Sequence, residues 1–211
     1  KAIESGISGF RDKYGSVPGD TLNAATRIPN CVGFCARDGN GDGLIANNAG
    51  NTTFDPGVAQ VASEMNSSFP QLASAGFIGG VGGGANAAVA TAGVTNPVIP
   101  IAGSWKMGFN DDASMTGTAS TVQSGTYIVS SAALGTASPG ATTLSLTPIQ
   151  VETIDRKLDD GLPTSGSVVY IGGALGAATC ASAAVAGPPA VDSAYNTTLT
   201  TVLCGVAVKV M

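Results

Sequence analysis

The chain has 211 residues, enough for one ordinary domain with a real core, and small apolar side chains dominate it. Charged residues make up only 11% and aromatics 5%, whereas 44% are hydrophobic and the 30 glycines outnumber all charged residues together. The net charge of −5 and nine scattered Lys and Arg exclude a direct nucleic-acid binder and a protein that docks on anionic lipid, because both need clustered cations.

In chain order, the first segment reads as a helix already under way at Lys1, since no capping residue opens it. Ile3, Ile7, Phe10 and Tyr14 form one apolar stripe, with Glu4, Ser8, Arg11 and Asp12 turned away. Gly15 is a C′ residue and Pro18-Gly19-Asp20 a turn. Residues 21–53 read as loop. Asp55-Pro56 is an N-cap followed by proline at the first helical position, and Val58, Val61, Ala62, Met65, Phe69 and Leu72 carry that helix to about Ala75, bent near Pro70. Gly76 closes it, and Gly79–Gly93 reads as a connector.

The second half reads as β-rich, with strands expected at Val98–Phe109, Gly125–Ala133, Ala141–Leu146, Gly166–Ile171 and Leu199–Val210. Asp111-Asp112 is a strand-end turn. Thr147-Pro148 opens a short helix whose Ile149, Val151, Ile154 and Leu158 are expected to face inward, with Glu152, Arg156, Lys157 and Asp159 in water. The helix ends at Asp160-Gly161. A Gly/Ala/Pro-rich excursion then carries Cys180.

Four cysteines, Cys31, Cys35, Cys180 and Cys204, without a single histidine argue against zinc. Three pairings are open. Locality favours Cys31–Cys35 with Cys180–Cys204, and two disulfides would place the chain in an oxidising compartment. Reduced, buried thiols are the alternative.

Catalytic machinery is scarce. Without histidine there is no Ser-His or Cys-His pair, and the glycine-rich Gly79–Gly84 is not followed by the Lys-Ser/Thr of a phosphate loop, so no enzymatic role is expected. Asp155, Asp159 and Asp160 read as structural: Asp159 and Asp160 bonding turn amides, Asp155 meeting a neighbouring subunit with Arg156 or Lys157. Asn51, Asn66 and Asn196 head formal glycosylation triplets, which arise by chance in a chain rich in Asn, Ser and Thr.

Asp38-Gly39-Asn40-Gly41-Asp42-Gly43-Leu44-Ile45 matches the first part of a calcium loop. Asp38, Asn40 and Asp42 supply oxygens at positions one, three and five, Gly43 the tight turn and Leu44 a backbone carbonyl. Position twelve is Ala49, where a bidentate Glu is needed, so a Ca2+ site requires Asp55 or Glu64 to close it. The alternative is a plain Asx/Gly turn.

Two stretches, Gly9–Ala25 (GFRDKYGSVPGDTLNAA) and Ile154–Val168 (IDRKLDDGLPTSGSV), resemble blocks of the prepilin-type family, the type IV pilins and type II secretion pseudopilins. DGNGDGLI with the later Leu72–Gly80 (LASAGFIGG) adds a third likeness, and the three come in the expected order. The resemblance implies an α+β fold in which an N-terminal helix packs on an antiparallel sheet, with Gly/Ala-rich loops and a disulfide-bounded C-terminal region. Residues 1–14 would be the C-terminal half of a long helix and 15–211 the globular head.

The implied function is structural. Copies of the chain, with other minor pilins, would polymerise into an extracellular filament through a hydrophobic helix half upstream of Lys1, which would also be the only membrane contact. A secretion pseudopilin is the alternative within the family. A secreted Ca2+-dependent carbohydrate-binding or adhesion module is the alternative outside it, though Trp105 is the only Trp.

Overall fold

The computed structural model describes residues 2–46, 64–82, 90–101, 103–110, 123–132, 134, 144–171, 179–182 and 193–211. Their elements are helices α1 (Ala2–Tyr14), α2 (Ala24–Arg27), α3 (Glu64–Ser74) and α4 (Pro148–Leu158), and strands β1 (Ser104–Asn110), β2 (Gly125–Ser131), β3 (Val168–Ile171) and β4 (Gly205–Lys209). The strands form one antiparallel sheet in the order β1-β2-β4-β3, so the chain is α+β as expected.

The amphipathic stripe of α1 is the first cause of the architecture. Thirteen residues of helix are marginal in water, so the stripe must dock. Ile7, Phe10 and Tyr14 are buried, while Ile3 is partly buried. The Phe10 ring lies 4.6 Å from Tyr14 and 6.1 Å, edge-on, from Phe77 just beyond α3. Gly9 permits this approach, because a Cβ there would sit 2.6 Å from the Phe77 ring. Gly15, at φ +67°, ends the helix, and its N–H donates to Arg11 O at 2.8 Å.

Register aligns a row of apolar side chains across the sheet. Met107 faces Ile128, Ile128 faces Val208, and Val208 faces Val168. Trp105 shares that face by the two-residue period of a strand. Trp105, Ile128 and Val208 line a cavity of about 490 Å3 together with Ile3 of α1 and Ile154 and Leu158 of α4, so this face looks towards both helices. Ile7, Phe10, Met65, Phe69, Leu72, Met107 and Val206 belong to one continuous core.

Both outer strands are covered. On β1, Phe109 N–H donates to Ile45 O and Trp105 N–H to Pro97 O, each at 2.9 Å. On β3, Val168 N–H donates to Asp159 Oδ2 at 2.9 Å and Tyr170 N–H to Pro163 O at 3.3 Å. A sheet with occupied edges does not template another strand.

The expected elements differ from the structure in several places. Residues 21–53 contain α2, whose start is secured by Asp38 Oδ1 accepting from Ala24 N–H at 2.8 Å. The strand expected from Val98 begins at Ser104, since Gly103 (φ +75°) turns the chain and leaves only an isolated bridge from Val98 to Ser104. The last strand shortens to Gly205–Lys209, and at Leu146 there is a single bridge to Cys204. In α4 the inward set is Pro148, Val151 and Asp155; Ile149 and Leu158 are about half exposed, at 52% and 48%. A tyrosine partner for Asp155, described below, pulls that acidic side to the interior. The start of the helix expected at Asp55, the turn at Asp111-Asp112 and residues 83–89 of the connector lie outside the described residues.

Truncating the stripe tests this packing. Phe10→Ala is expected to destabilise the protein by about 3–5 kcal/mol in urea unfolding, and Ile3→Ala by less than half of that, because Ile3 is already partly in water.

Candidate functional site

The Asp38–Ile45 loop is organised by carboxylates from outside it. Asp20 Oδ1 accepts from Gly41 N–H at 2.5 Å and Oδ2 from Gly43 N–H at 2.7 Å. Glu64, the first residue of α3, accepts from Asn40 N–H at 3.0 Å and from Ala46 N–H at 2.8 Å. Within the loop, Asp42 N–H donates to Asn40 Oδ1 at 2.9 Å and Leu44 N–H to Asp42 Oδ1 at 2.8 Å, two consecutive Asx turns. Gly39 is required by contact: a Cβ there would overlap the Cα of Asp20.

Asp20, Asp42 and Glu64 thereby bring carboxylate oxygens within 4.8 Å of one another. Asp20 and Glu64 are buried and Asp42 is exposed. Of the four residues expected to ligate calcium, only Asp42 offers its carboxylate to this cluster. Asp38 caps α2 instead, and Asn40 donates its side-chain N–H to Asp42 Oδ2 at 2.8 Å. Glu64, one of the two acids expected as candidates to close the loop, is the third member of the cluster. Asp20, eighteen residues upstream of Asp38, was missed; its one sequence signal is a Pro-Gly-Asp turn whose acid has no local work. Ala49 and Asp55 lie outside the described residues.

Burial raises Glu64 to about 7, against the lowering effect of the Ala46 and Asn40 amides and with the help of the Asp20 and Asp42 charges. Burial also raises Asp20, opposed by the Gly43 and Gly41 amides. The chemistry available is therefore that of a hard oxygen donor set, which can hold a proton or a cation such as Ca2+.

A second acidic group surrounds the end of α4. Asp159 Oδ2 accepts from the N–H groups of Ser167 and Val168, and Asp160 Oδ1 from Leu162 N–H at 2.8 Å, the turn-amide role expected of both. Asp155 departs from expectation. It is fully buried and cannot meet a neighbouring subunit: Oδ1 accepts from Gly161 N–H at 3.1 Å and Oδ2 from Tyr195 Oη at 2.8 Å. Burial lifts Asp155 to about 6, and burial with the Asp155 hydrogen bond drives the Tyr195 hydroxyl well above its ordinary value.

Both local disulfides form, Cys31–Cys35 and Cys180–Cys204, with Cα separations of 5.1 and 5.3 Å. Gln71 ties the first to α3, its Nε2 donating to Cys35 O at 3.3 Å and Arg37 O at 3.1 Å while Oε1 accepts from Gly19 N–H at 2.6 Å. Two disulfides fit an oxidising compartment. Among the described residues no helix is long and apolar enough to cross a membrane. Asn66 is buried in α3, which removes it as a glycosylation acceptor.

The raised acids set a pH dependence. A carboxyl raised on folding stabilises the native state fully below its unfolded value, and that contribution is lost as pH rises through its folded value. Between pH 4.5 and 8 the melting temperature is expected to fall as Glu64 ionises near 7, by roughly 2–4 °C per kcal/mol of linkage. Glu64→Gln flattens that slope. Gly39→Ala, in contrast, lowers stability by about 1–3 kcal/mol at every pH, through overpacking alone.

Comparison with protein-family models, with curated proteins and with solved structures finds no match to this chain.

Proposed function

We propose that this chain is the head of a type IV pilin-like subunit, a structural protein of an extracellular filament and not an enzyme. The observation that carries the reading is the graded docking of α1. Its last turns are sunk in the core through Ile7, Phe10 and Tyr14, whereas Ile3 is partly buried and Ala2 exposed, so the helix is gripped at one end. A rod held this way leaves its other end for neighbours. The prepilin-like blocks around Gly9–Ala25 and Ile154–Val168, the two disulfides and the sparse surface charge support the same reading.

In this reading the partners are copies of the chain and other minor pilins, joined head-to-tail in a helical array. Membrane contact belongs to an apolar helix half upstream, and nucleic acid is not bound directly. The pseudopilin of a secretion machine uses the same arrangement in a shorter filament. Antibodies to this head are expected to label filaments sheared from the cell surface. Antigen recovered only as free monomer in the medium, from a gene with no apolar helix preceding α1, contradicts the filament.

The cluster of Asp20, Asp42 and Glu64 supports Ca2+ as a stabiliser of the same head, since three carboxylates lie together and two of them are buried. At pH 8 the melting temperature is expected to be several degrees higher with millimolar Ca2+ than with chelator. The difference vanishes in Glu64→Gln. Equal melting temperatures in the unsubstituted chain remove calcium from the account.

A further inference from the structure

Residues 179–182 and 193–196 pair with each other. Ala181 bridges Tyr195, Asn196 N–H donates to Cys180 O at 3.0 Å, and Ser182 N–H donates to Ala194 O at 2.9 Å. The pair is joined to the body by the Cys180–Cys204 disulfide, by a Thr164–Ser193 hydroxyl contact of 2.8 Å, and by the Tyr195 hydroxyl on Asp155. Both cysteines are fully buried, and Cys204 bridges Leu146 immediately before α4. Tyr195 thus anchors the stretch that lies directly beside Cys180. An attacking reductant must reach that sulfur, so what holds 193–196 in place also governs access to it.

The partner of Tyr195 stands among like charges. From the end of α4 and the following turn, Asp159 and Asp160 bring carboxylate oxygens within 4.8 Å of Asp155. Gly161 N–H and the Tyr195 hydroxyl are its hydrogen-bond donors. Glu152, one turn back, is paired with the exposed Arg156 at 2.7 Å, and Lys157 is exposed. Ionised, Asp155 adds a buried negative charge beside two others. Protonated, it loses that repulsion and keeps an oxygen for Tyr195.

We propose that the Tyr195–Asp155 bond is a clamp that shields the Cys180–Cys204 disulfide from reductants, and that mild acid tightens it. The clamp asks nothing of the filament and applies to the isolated chain. Asp155 changes charge near pH 6, so the grip weakens between pH 5 and 8.

The test is reduction of the 211-residue chain by a water-soluble phosphine at pH 5 and pH 8, followed by alkylation and peptide mass analysis. The phosphine attacks one sulfur, the S–S bond breaks, and water supplies the oxygen of the phosphine oxide and the protons of two thiols. Cys31–Cys35 in the same molecule is the reference for the reagent's own pH dependence. Relative to it, Cys180–Cys204 is expected to reduce several-fold more slowly at pH 5 than at pH 8.

Tyr195→Phe speeds its reduction at pH 5 several-fold, the scale of a hydrogen bond between neutral groups, and removes the pH difference. Asp155→Asn, neutral at both pH values, keeps the slow rate at both. A Tyr195→Phe chain that reduces at the wild-type rate, or that accelerates at both disulfides alike, overturns the clamp. So does an Asp155→Asn chain that retains the wild-type pH dependence.

Discussion

Among the described residues, the loops at 38–46 and 159–168 are held by side-chain carboxylates that accept backbone amides. Peptide groups without a ladder need partners when buried. Here Asp20 takes Gly41 and Gly43, Glu64 takes Asn40 and Ala46, Asp155 takes Gly161, and Asp159 takes Ser167 and Val168. A net stabilisation of about 1.5–3 kcal/mol for a hydrogen bond to a charged group outweighs the ~0–1 kcal/mol of a surface ion pair. The Glu152–Arg156 pair, with its guanidinium 69% exposed, therefore contributes little beside them. The cost of the arrangement is desolvation, which is why Glu64 and Asp155 rise to about 7 and about 6.

These acids connect the layers. Glu64 is the first residue of α3, so the loop it gathers is fixed to the helix that packs beside α1. Ile45, within that loop, accepts from Phe109 on the edge of β1, and Asp159 covers the opposite edge at β3. A chain with few charges and many small apolar residues lacks the usual electrostatic protection against sheet-to-sheet association. Occupied edges supply it instead. In the proposed filament, that leaves contact between subunits to α1 and to the faces of the heads.

Much of this was legible in the sequence because it is local. The stripe of Ile3, Ile7, Phe10 and Tyr14 follows the helical period, the Thr147-Pro148 start is confirmed by Thr147 N–H donating to Gln150 Oε1 at 2.8 Å, and each cysteine pairs within its own region. What was misread depends on distant partners. Asp155 looks like a surface acid until Tyr195, forty residues later, supplies its donor. The Asp38–Ile45 loop reads as the first part of a cation loop that needs Asp55 or Glu64 to close it. Glu64 does reach its amides, but the loop's own sequence gives no hint of Asp20 or of Asp38 turning away to cap α2. The strand expected from Val98 is cut short by the backbone turn at Gly103, which β-branched composition does not reveal.

Amide hydrogen exchange read residue by residue tests the carboxylate anchoring most directly. The amides of Asn40, Gly41, Gly43, Ala46, Gly161 and Val168 lie outside helix and sheet ladders, or at their very edge, yet each donates to a carboxylate. Protection comparable to that of the β2 and β4 amides is the expected result. Exchange at the rate of open loops, with the sheet still protected, would contradict the account.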